Sequence, residues 1–409
     1  MLYYEVNGEY IMDIAKRAKQ IAPSLTLEIT ARAKKMKADG IKVVSFAAGE
    51  PDFNTPEYII EAGHKALELG MTKYTPAGGI IELREAICQK LKSDNALDYK
   101  PSQIVVSNGG KHALFNAFMA ILNPGDEVII PAPYWLSYPE IVKMAGGVPV
   151  IVDTKAENRF KITAEELENA ITPKTKAFIL NNPNNPTGAV YTSKDLNALA
   201  AVIERHEVYV ISDEIYEKLN YEHIHRSIAA CSDLLKDRTI LINGMSKTYS
   251  MTGWRVGYAA ANEKIASAMV SLQSHSTSNV NAVAQYASYI ALSDKYHGEA
   301  FLEDMKATFD ARRALMMLKL SRLNLDYIEP KGAFYIMVSI KPFEGKSYDG
   351  HVIKTAYDLA SVLLENAQVA VIPCESFGAP DYIRLSYAAS EKDIERGLAK
   401  IADFISQLK

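Results

Sequence analysis

The feature that most constrains the fold is the regular alternation of short apolar, β-branched segments with longer helical segments. Seven segments have the length and composition of strands: residues 104–106, 127–130, 148–152, 176–180, 208–211, 239–242 and 256–260. Several are apolar throughout, which is typical of strands buried on both faces. Helical segments such as 111–121, 193–205 and 281–292 lie between them. The alternation predicts an α/β fold, with a mostly parallel sheet and helices on both of its faces.

The last quarter of the chain has a different pattern, which predicts a smaller α+β domain. A long charged helix at about 299–323 precedes strands near 333–339, 369–372 and 383–386 and a helix at 356–366. The predicted helix at 25–39 joins this domain because the strand–helix alternation starts only later. The predicted division is a variable N-terminal extension at 1–20, a small domain at 21–48 and 307–409, and a large domain at 49–306.

Composition excludes several classes of protein. The 409 residues are too many for one simple core. Lys plus Arg is 45 and Asp plus Glu is 49, a formal charge of -4, so no electrostatic footprint for nucleic acid is present. No apolar run approaches the ~20 residues that span a bilayer. The three cysteines are widely spaced, which argues against a disulfide framework or a cysteine zinc site. The N-terminal segment lacks an apolar stretch with a cleavage site, so a cytoplasmic protein is expected.

Common catalytic and nucleotide-binding motifs are absent from the sequence. No two glycines lie two positions apart, so the dinucleotide-binding fingerprint is missing. The P-loop, HExxH and GxSxG patterns are missing as well. His223 and His225 can form a metal pair, but a polar loop or edge strand is the favoured interpretation, and no metal site is predicted.

Polar motifs follow the predicted strands at their carboxyl ends, where ligands bind in open α/β sheets. The turn from Ser107 to His112 contains two glycines before a helix, so that its backbone can approach an anion. A plain strand–helix turn would look the same. The segment NNPNNPTG at 181–188 contains two Asn-Pro steps, which enforce a rigid extended turn. The amide of Asn185 in this turn can both donate and accept a hydrogen bond.

Two further segments carry ionisable side chains. Asp213 ends a predicted buried strand, where it needs a cation or proton donor unless it caps a helix. Tyr216 would lie on the same side if a helical turn follows. Lys247 comes after another strand and can act as an amine nucleophile in a partly closed site, although a lone lysine is more often a solvated surface residue. Ser246, Arg255 and the glycine turn can together hold one phosphate.

Trp135 and Arg384 complete the set of candidates. Trp135 is one of only two tryptophans and can either stack on a flat ring or belong to the core. Arg384 is flanked by apolar residues and can bind a substrate carboxylate in a bidentate manner or form a structural ion pair. An amine, an acid, a phosphate cradle, a stacking ring and a carboxylate ligand together predict a site for pyridoxal phosphate, the electron sink for amino-acid carbanions.

The chain resembles the class I/II aminotransferases of pyridoxal-phosphate fold type I, and within them the bacterial aspartate aminotransferase subgroup. The resemblance extends from about Pro23 to the C-terminus and rests on the motifs AAGEPDFNTP, KYTPAGG, NNPNNPTG, SDEIY, SKTYSMTGWRVGY and RLSYA. It implies pyridoxal 5'-phosphate as the cofactor, held by the large domain. It also implies amino acid and 2-oxo acid substrates and a homodimer with shared active sites.

The resemblance also implies a role for each candidate residue. Lys247 would carry the cofactor, Asp213 would bind the pyridine nitrogen, and Tyr216 would bind the phenolic oxygen together with Asn185; the first three are the expected catalytic residues. The expected phosphate ligands are Gly110, the backbone of Lys111, Ser246, Arg255 and the partner subunit's Tyr74. The expected substrate ligands are Gly49, Trp135, Asn185, Arg384 and the ammonium of Lys111, with Trp135 also stacking on the cofactor.

The expected reaction is a ping-pong transfer of the amino group of L-aspartate to 2-oxoglutarate. Some members of the subgroup have a lysine before the Pro-Ser pair for bulky dicarboxylates such as prephenate, but Ala22 occupies that place here, so prephenate is not an expected substrate. Alanine or aromatic aminotransferases and lyases of the same fold remain alternatives. Transcription regulators with this fold carry an upstream DNA-binding domain, for which about 20 residues would leave no room.

Overall fold

The computed structural model describes residues 4–6, 9–11, 13–21, 25–222 and 224–409. Its strands are β1 (Tyr4–Val6), β2 (Glu9–Ile11), β3 (Val44–Ser45), β4 (Ile104–Ser107), β5 (Glu127–Ala132), β6 (Val148–Asp153), β7 (Thr175–Asn181), β8 (Tyr209–Asp213), β9 (Thr239–Gly244), β10 (Gly257–Ala260), β11 (Tyr327–Ile328), β12 (Tyr335–Ser339), β13 (Ser347–Tyr348), β14 (His351–Val352), β15 (Val369–Ala370), β16 (Ile372–Pro373) and β17 (Tyr382–Ser386).

Its helices are α1 (Lys16–Lys19), α2 (Leu25–Ala38), α3 (Glu57–Glu68), α4 (Ile81–Asn95), α5 (Gly110–Ile121), α6 (Ser137–Met144), α7 (Ala164–Ala170), α8 (Ser193–Glu204), α9 (Asp233–Arg238), α10 (Met245–Thr248), α11 (Glu263–Ser276), α12 (Ala282–Ser293), α13 (Lys295–Arg322), α14 (Ala356–Asn366) and α15 (Glu391–Ser406). None of the helices in the described ranges is long and apolar enough to cross a membrane.

The central sheet has seven strands in the order β4-β10-β9-β8-β7-β5-β6. All neighbours are parallel except those of β10, which runs antiparallel to both β4 and β9. The prediction of a mostly parallel sheet is therefore confirmed. Because the strands before and after β10 run the opposite way, the loop that enters β10 lies at the same sheet edge as the carboxyl ends of the others.

Helices cover both faces of this sheet, as the apolar strands predicted. Neighbouring residues of one strand enter different cores: Phe178 packs with the residues of α8, and Ile179 packs with those of α5 and α11. Strand β6 differs from the other predicted strands because it lies at the sheet edge, where Val148 and Ile151 are exposed. The local sequence also favours the start of α8, because Thr192 caps this helix by accepting a hydrogen bond from the backbone N–H of Asp195.

A second sheet, with the antiparallel order β11-β12-β17-β16, forms the centre of the C-terminal region. The short strand β3 pairs in parallel with β15, which attaches the segment after α2 to this region. Helix α13 is continuous from Lys295 to Arg322, so the predicted boundary at 306/307 lies inside a helix. The division into domains stays a prediction.

Candidate active site

A cavity of about 910 Å³ opens at the carboxyl edge of the central sheet, between that sheet and the C-terminal region. Strands β7 and β8 end at it, α5 and α10 begin beside it, and β17 supplies a residue from the opposite side. Eleven of the predicted site residues line it: Gly49, Gly110, Lys111, Trp135, Asn185, Asp213, Tyr216, Ser246, Lys247, Arg255 and Arg384. Residues that are scattered over more than 300 positions of the chain thus meet at one place.

Asp213 lies at the end of β8 and is only 5% exposed. Its Oδ2 accepts a hydrogen bond from the hydroxyl of Tyr138 at 2.7 Å, and its Oδ1 accepts one from the backbone N–H of Ile215 at 3.2 Å. Burial raises the pKa of Asp213 to about 6, and the two hydrogen bonds only partly offset that rise. The sequence predicted that Asp213 needs a cation or a proton donor, and Tyr138 is such a donor.

Lys247 lies in α10, the short helix that follows β9. Its Nζ donates to the carbonyl oxygen of Gly49 at 2.5 Å and lies 5.9 Å from the centre of the Phe334 ring. Burial lowers the pKa of Lys247 to about 8, although the carboxylate of Glu50 opposes that shift. A lysine with this pKa is neutral in about a tenth of the molecules at pH 7, far more than an ordinary lysine, and the neutral form is the one that attacks a carbonyl carbon.

The start of α5 and Arg255 form a small cradle with the properties of a phosphate site. Gly109 has a φ of 84°, and a Cβ added there would lie 2.4 Å from Nη2 of Arg255. Only glycine allows the guanidinium to lie against this turn. Arg255 donates to the carbonyl oxygens of Thr252 and Asn108 at 2.9 and 3.2 Å, which fixes its position. The buried Ser246 lines the same side of the cavity.

Arg384 on β17 is 3% exposed and makes no ion pair with a carboxylate of the described residues. Its Nη1 donates to Oδ1 of Asn185 at 2.8 Å, and its guanidinium lies over the ring of Tyr335 at 4.2 Å and that of Phe377 at 5.1 Å. Its Nε has no hydrogen-bond partner. A buried guanidinium without a counter-ion is costly, so the arrangement is that of a ligand for an incoming carboxylate.

Asn185 takes its position from the turn after β7. Its backbone N–H donates to Oδ1 of Asn181 at 2.8 Å. The turn thereby brings the amide of Asn185 to both Arg384 and the cavity.

Lys111 follows the glycine turn and directs its Nζ over the ring of Trp135, 4.7 Å from the ring centre. Burial and the nearby Arg255 lower the pKa of Lys111. The lining of the cavity contains seven basic side chains and four acidic ones, counted as Lys34, Lys37, Lys111, Lys247, Arg255, Arg384 and Arg396 against Glu50, Asp52, Asp213 and Asp393. The excess of cations suits anionic ligands.

Two residues of the site were missed by sequence reasoning. Tyr138 donates to Asp213, and Tyr335 on β12 places its hydroxyl 3.0 Å from that of Tyr216. Tyr138 lies three residues after Trp135, a helical spacing that was a usable signal. Tyr335 is embedded in an apolar strand, and nothing in its surroundings distinguishes it from a core tyrosine.

Two other residues that the sequence singled out, Tyr74 and His225, lie outside the cavity lining. Tyr74 is 90% exposed and is outside the cavity lining. The side chain of His225 is 7% exposed and its ring lies 2.8 Å from Glu214, whereas His223 lies outside the described residues, so the metal-pair alternative for these histidines stays untested. Ala22, on which the expectation about prephenate rests, also lies outside the described residues.

The residues around the cavity fit pyridoxal 5'-phosphate. The glycine–arginine cradle suits its phosphate, the buried carboxylate of Asp213 suits its ring nitrogen, and the amine of Lys247 suits its aldehyde. The hydroxyl of Tyr216 and the amide of Asn185 line the cavity and can meet its phenolic oxygen. Every polar group of the cofactor therefore has a complementary group in this chain.

Comparison with known proteins identifies the family and agrees with the fold. The family model for aminotransferase class I and II matches residues 41–401. The chain belongs to this family and is a pyridoxal-phosphate-dependent aminotransferase.

Among its relatives, an aspartate aminotransferase of Bacillus subtilis is 48% identical over 399 residues, which is 97% of this chain and 100% of that protein. An aspartate/prephenate aminotransferase of Thermus thermophilus is 42% identical over 389 residues, 95% of this chain and 98% of that protein. A solved aspartate aminotransferase of Rhizobium meliloti has a TM-score of 0.93 and 42% identity, with 97% and 100% of the two chains covered. A solved aspartate aminotransferase of Thermus thermophilus with maleate has a TM-score of 0.91 at 42% identity, with 96% and 100% covered.

Proposed function

We propose that the enzyme transfers the amino group of L-aspartate to 2-oxoglutarate in a ping-pong reaction that yields oxaloacetate and L-glutamate. The observation that carries the proposal is the pairing of two cations around one cavity. Arg384 is buried without a counter-ion, and Lys111 extends over Trp135 in the same cavity without an ion pair to a described carboxylate. Two separate cations match the two carboxylates of aspartate and glutamate.

In this proposal Arg384 binds the α-carboxylate, which both substrates share. Asn185 holds one end of the guanidinium and the ring of Tyr335 supports its face, so the remaining N–H donors are directed at the ligand. A fixed guanidinium orients the substrate and so selects which bond of its α-carbon is broken.

Lys111 then binds the distal carboxylate. Its ammonium is a point charge rather than a planar fork, so selection for a second carboxylate is softer than an arginine would give. The relatives support a dicarboxylate substrate, since several are aspartate aminotransferases and one of the solved structures is an aspartate aminotransferase with maleate.

When bound, pyridoxal phosphate supplies an electron-withdrawing ring that stabilises negative charge at the α-carbon of the amino acid. Lys247 binds the cofactor and moves the α-proton, a task for which a pKa of about 8 suits an amine near neutral pH. Asp213 holds a proton on the ring nitrogen, and Tyr216 and Asn185 contact the phenolic oxygen.

The remaining residues bind the cofactor and the substrate. The phosphate ligands are Gly110, the backbone of Lys111, Ser246 and Arg255. Trp135 stacks on the ring, and Gly49 contacts the substrate.

The test is a panel of amino acids added singly to the purified holoenzyme, with the cofactor absorbance followed in each half-reaction. Aspartate and glutamate should react with the highest kcat/KM, and alanine and phenylalanine should react much more slowly. A preference for alanine or an aromatic amino acid would replace the proposal by another aminotransferase specificity. In a matching panel of 2-oxo acids, added to the enzyme with its cofactor in the aminated form, prephenate should be a poor acceptor, because alanine stands where the relevant lysine would be.

We also propose that the enzyme works as a homodimer with shared active sites, in the cytoplasm. The exposed Tyr74 has a clear function only if it reaches the phosphate of a second subunit. The cysteines Cys88, Cys231 and Cys374 are all free thiols, which suits a reducing compartment.

A further inference from the structure

We propose that Tyr138 is a positioning residue, whose hydroxyl keeps the carboxylate of Asp213 ionised and oriented toward the ring nitrogen of the cofactor. The inference rests on the proposed role of Asp213 and adds a second residue to that role.

Tyr138 and Asp213 are both buried and in direct contact. Tyr138 lies in the first turn of α6 and is 1% exposed, and its hydroxyl donates to Oδ2 of Asp213 at 2.7 Å. The N–H of Ile215 donates to Oδ1 at 3.2 Å. Donors from two different elements therefore hold both oxygens of one carboxylate. Each oxygen of a carboxylate can accept more than one hydrogen bond, so the group can still receive a third donor from the cavity.

The direction of the hydrogen bond is fixed by the chemistry of the buried phenol. Burial, together with the charge of Asp213, raises the pKa of Tyr138 well above its usual range. Tyr138 is therefore neutral, and its only proton is directed at Asp213. A neutral donor favours the ionised form of the acid that accepts its hydrogen bond.

The groups around Asp213 shift its pKa in opposite directions. Burial raises the pKa of Asp213 to about 6, and the adjacent Glu214 adds to that rise. The hydroxyl of Tyr138, the N–H of Ile215 and the ammonium of Lys247 all act in the opposite direction. Without Tyr138 the balance shifts toward a protonated acid at neutral pH. A protonated Asp213 has no charge with which to hold a proton on the ring nitrogen.

Tyr138 also has a packing role, from which the proposed role must be separated. Its ring makes an edge-to-face contact with Trp135, with 5.4 Å between the ring centres and an angle of 84° between the planes. The change Tyr138→Phe keeps the ring and this contact and removes only the hydroxyl. If Tyr138 acted only through packing, Tyr138→Phe would therefore change the titration of the ring nitrogen and kcat very little.

A matched control is available in Tyr191, whose side chain is also buried. Its hydroxyl accepts a hydrogen bond from the backbone N–H of Ile162 at 3.1 Å, and the residue is outside the lining of the active-site cavity. Tyr191→Phe removes one buried hydroxyl and one hydrogen bond, as Tyr138→Phe does, but leaves Asp213 untouched.

The experiment loads wild type, Tyr138→Phe, Tyr191→Phe and Asp213→Asn with cofactor labelled with nitrogen-15 in the ring. The nuclear magnetic resonance shift of the ring nitrogen is then followed against pH, after circular dichroism has verified the fold of each variant. In Tyr138→Phe the ring nitrogen should lose its proton at a lower pH than in wild type. We expect kcat for aspartate to fall about 10-fold, the effect of one hydrogen bond to a charged group, with KM little changed.

The outcomes separate the inference from the function on which it rests. A Tyr138→Phe titration that coincides with wild type, while Asp213→Asn is shifted, overturns the role of Tyr138 and leaves that of Asp213 intact. The role of Tyr138 is also overturned if Tyr191→Phe shifts the titration as much as Tyr138→Phe does, because the loss of any buried hydroxyl would then have that effect. An unshifted Asp213→Asn overturns the role of Asp213 itself.

Discussion

The hydroxyl of Tyr216 lies 3.0 Å from the hydroxyl of Tyr335 and links the central seven-stranded sheet to the second, four-stranded sheet at the active-site cavity. Tyr216 follows β8 of the central sheet, and Tyr335 begins β12 of the second sheet. The same Tyr335 ring lies under the guanidinium of Arg384 at 4.2 Å. One side chain thus contacts both a proposed cofactor ligand and the proposed substrate ligand, so the position of the second sheet affects both.

Tyr335→Phe should lower kcat about 2- to 10-fold, since it removes one neutral hydrogen bond from Tyr216 and keeps the ring under Arg384. Tyr335→Ala also removes the ring and should in addition raise KM for both amino acids and 2-oxo acids. Steady-state kinetics of the two variants with aspartate measure the difference. Identical KM values for the two variants would show that the ring does not support Arg384.

Lys247→Ala should abolish the covalent attachment of the cofactor and reduce transamination by several orders of magnitude, because the chain would have no amine at that place. The absorbance of the purified variant and the failure of hydride reduction to attach cofactor to the protein measure the change. The control variant is Lys143→Ala, because Lys143 is a lysine on α6 that pairs with Glu140 at 2.9 Å. Covalently bound cofactor in Lys247→Ala would disprove the assignment.

His225 is expected to stabilise the protein in a pH-dependent way. Its Nε2 lies 2.8 Å from Oε2 of Glu214. Burial opposes a charge on the ring, but the carboxylates of Glu214 and Glu217 together outweigh it and raise the pKa of His225 above 6.5. A group whose pKa is raised in the folded state stabilises fully below its unfolded pKa, and the effect is lost as the pH rises through the folded value.

His225→Gln keeps a donor but no charge, so it should cost about 1–2 kcal/mol near pH 6 and less near pH 9. The measurement is the difference in Tm between variant and wild type at constant cofactor concentration, at both pH values. His206→Gln is the control, because His206 pairs with Glu168 at the same distance of 2.8 Å but is more exposed and should matter little. A larger loss of Tm at the higher pH would contradict the prediction.

The sequence predicted most of the fold and most of the site, and the differences have physical reasons. Strands could be predicted because burial on both faces leaves runs such as residues 177–180, Ala-Phe-Ile-Leu, without polar residues. Lys247 and Arg384 were recognisable only from the motifs that accompany them, because a lone lysine is more often a surface residue and a lone arginine is as often part of a structural ion pair. Tyr138 and Tyr335 were not recognised, because a buried tyrosine looks like a core residue until the partner of its hydroxyl is known. The paired partners are distant in sequence: Tyr138 is 75 positions from Asp213, and Tyr335 is 119 from Tyr216.

Lys111→Ser should lower kcat/KM for aspartate and glutamate by about 10- to 100-fold, the effect of losing a charge-assisted hydrogen bond to the distal carboxylate. Alanine and phenylalanine have no distal carboxylate and should be nearly unaffected, so they serve as internal controls. Lys111→Arg retains the charge and should recover part of the activity with aspartate. An equal loss with all four amino acids would show that Lys111 serves the cofactor phosphate, and the proposed aspartate specificity would lose its main support.

Tyr74→Phe should weaken cofactor binding about 10-fold, if the hydroxyl of the partner subunit's Tyr74 donates to the phosphate. Within one chain the side chain is 90% exposed, so a loss of affinity has no explanation without a second subunit. Absorbance titration of the apoenzyme with pyridoxal phosphate gives the dissociation constant. The control is Tyr296→Phe, since Tyr296 is 80% exposed and belongs to α13. Sedimentation across a dilution series measures the fraction of dimer. The affinity for the cofactor should fall as that fraction falls. An active monomer, or a Tyr74→Phe variant that binds cofactor as tightly as Tyr296→Phe, would contradict a shared active site.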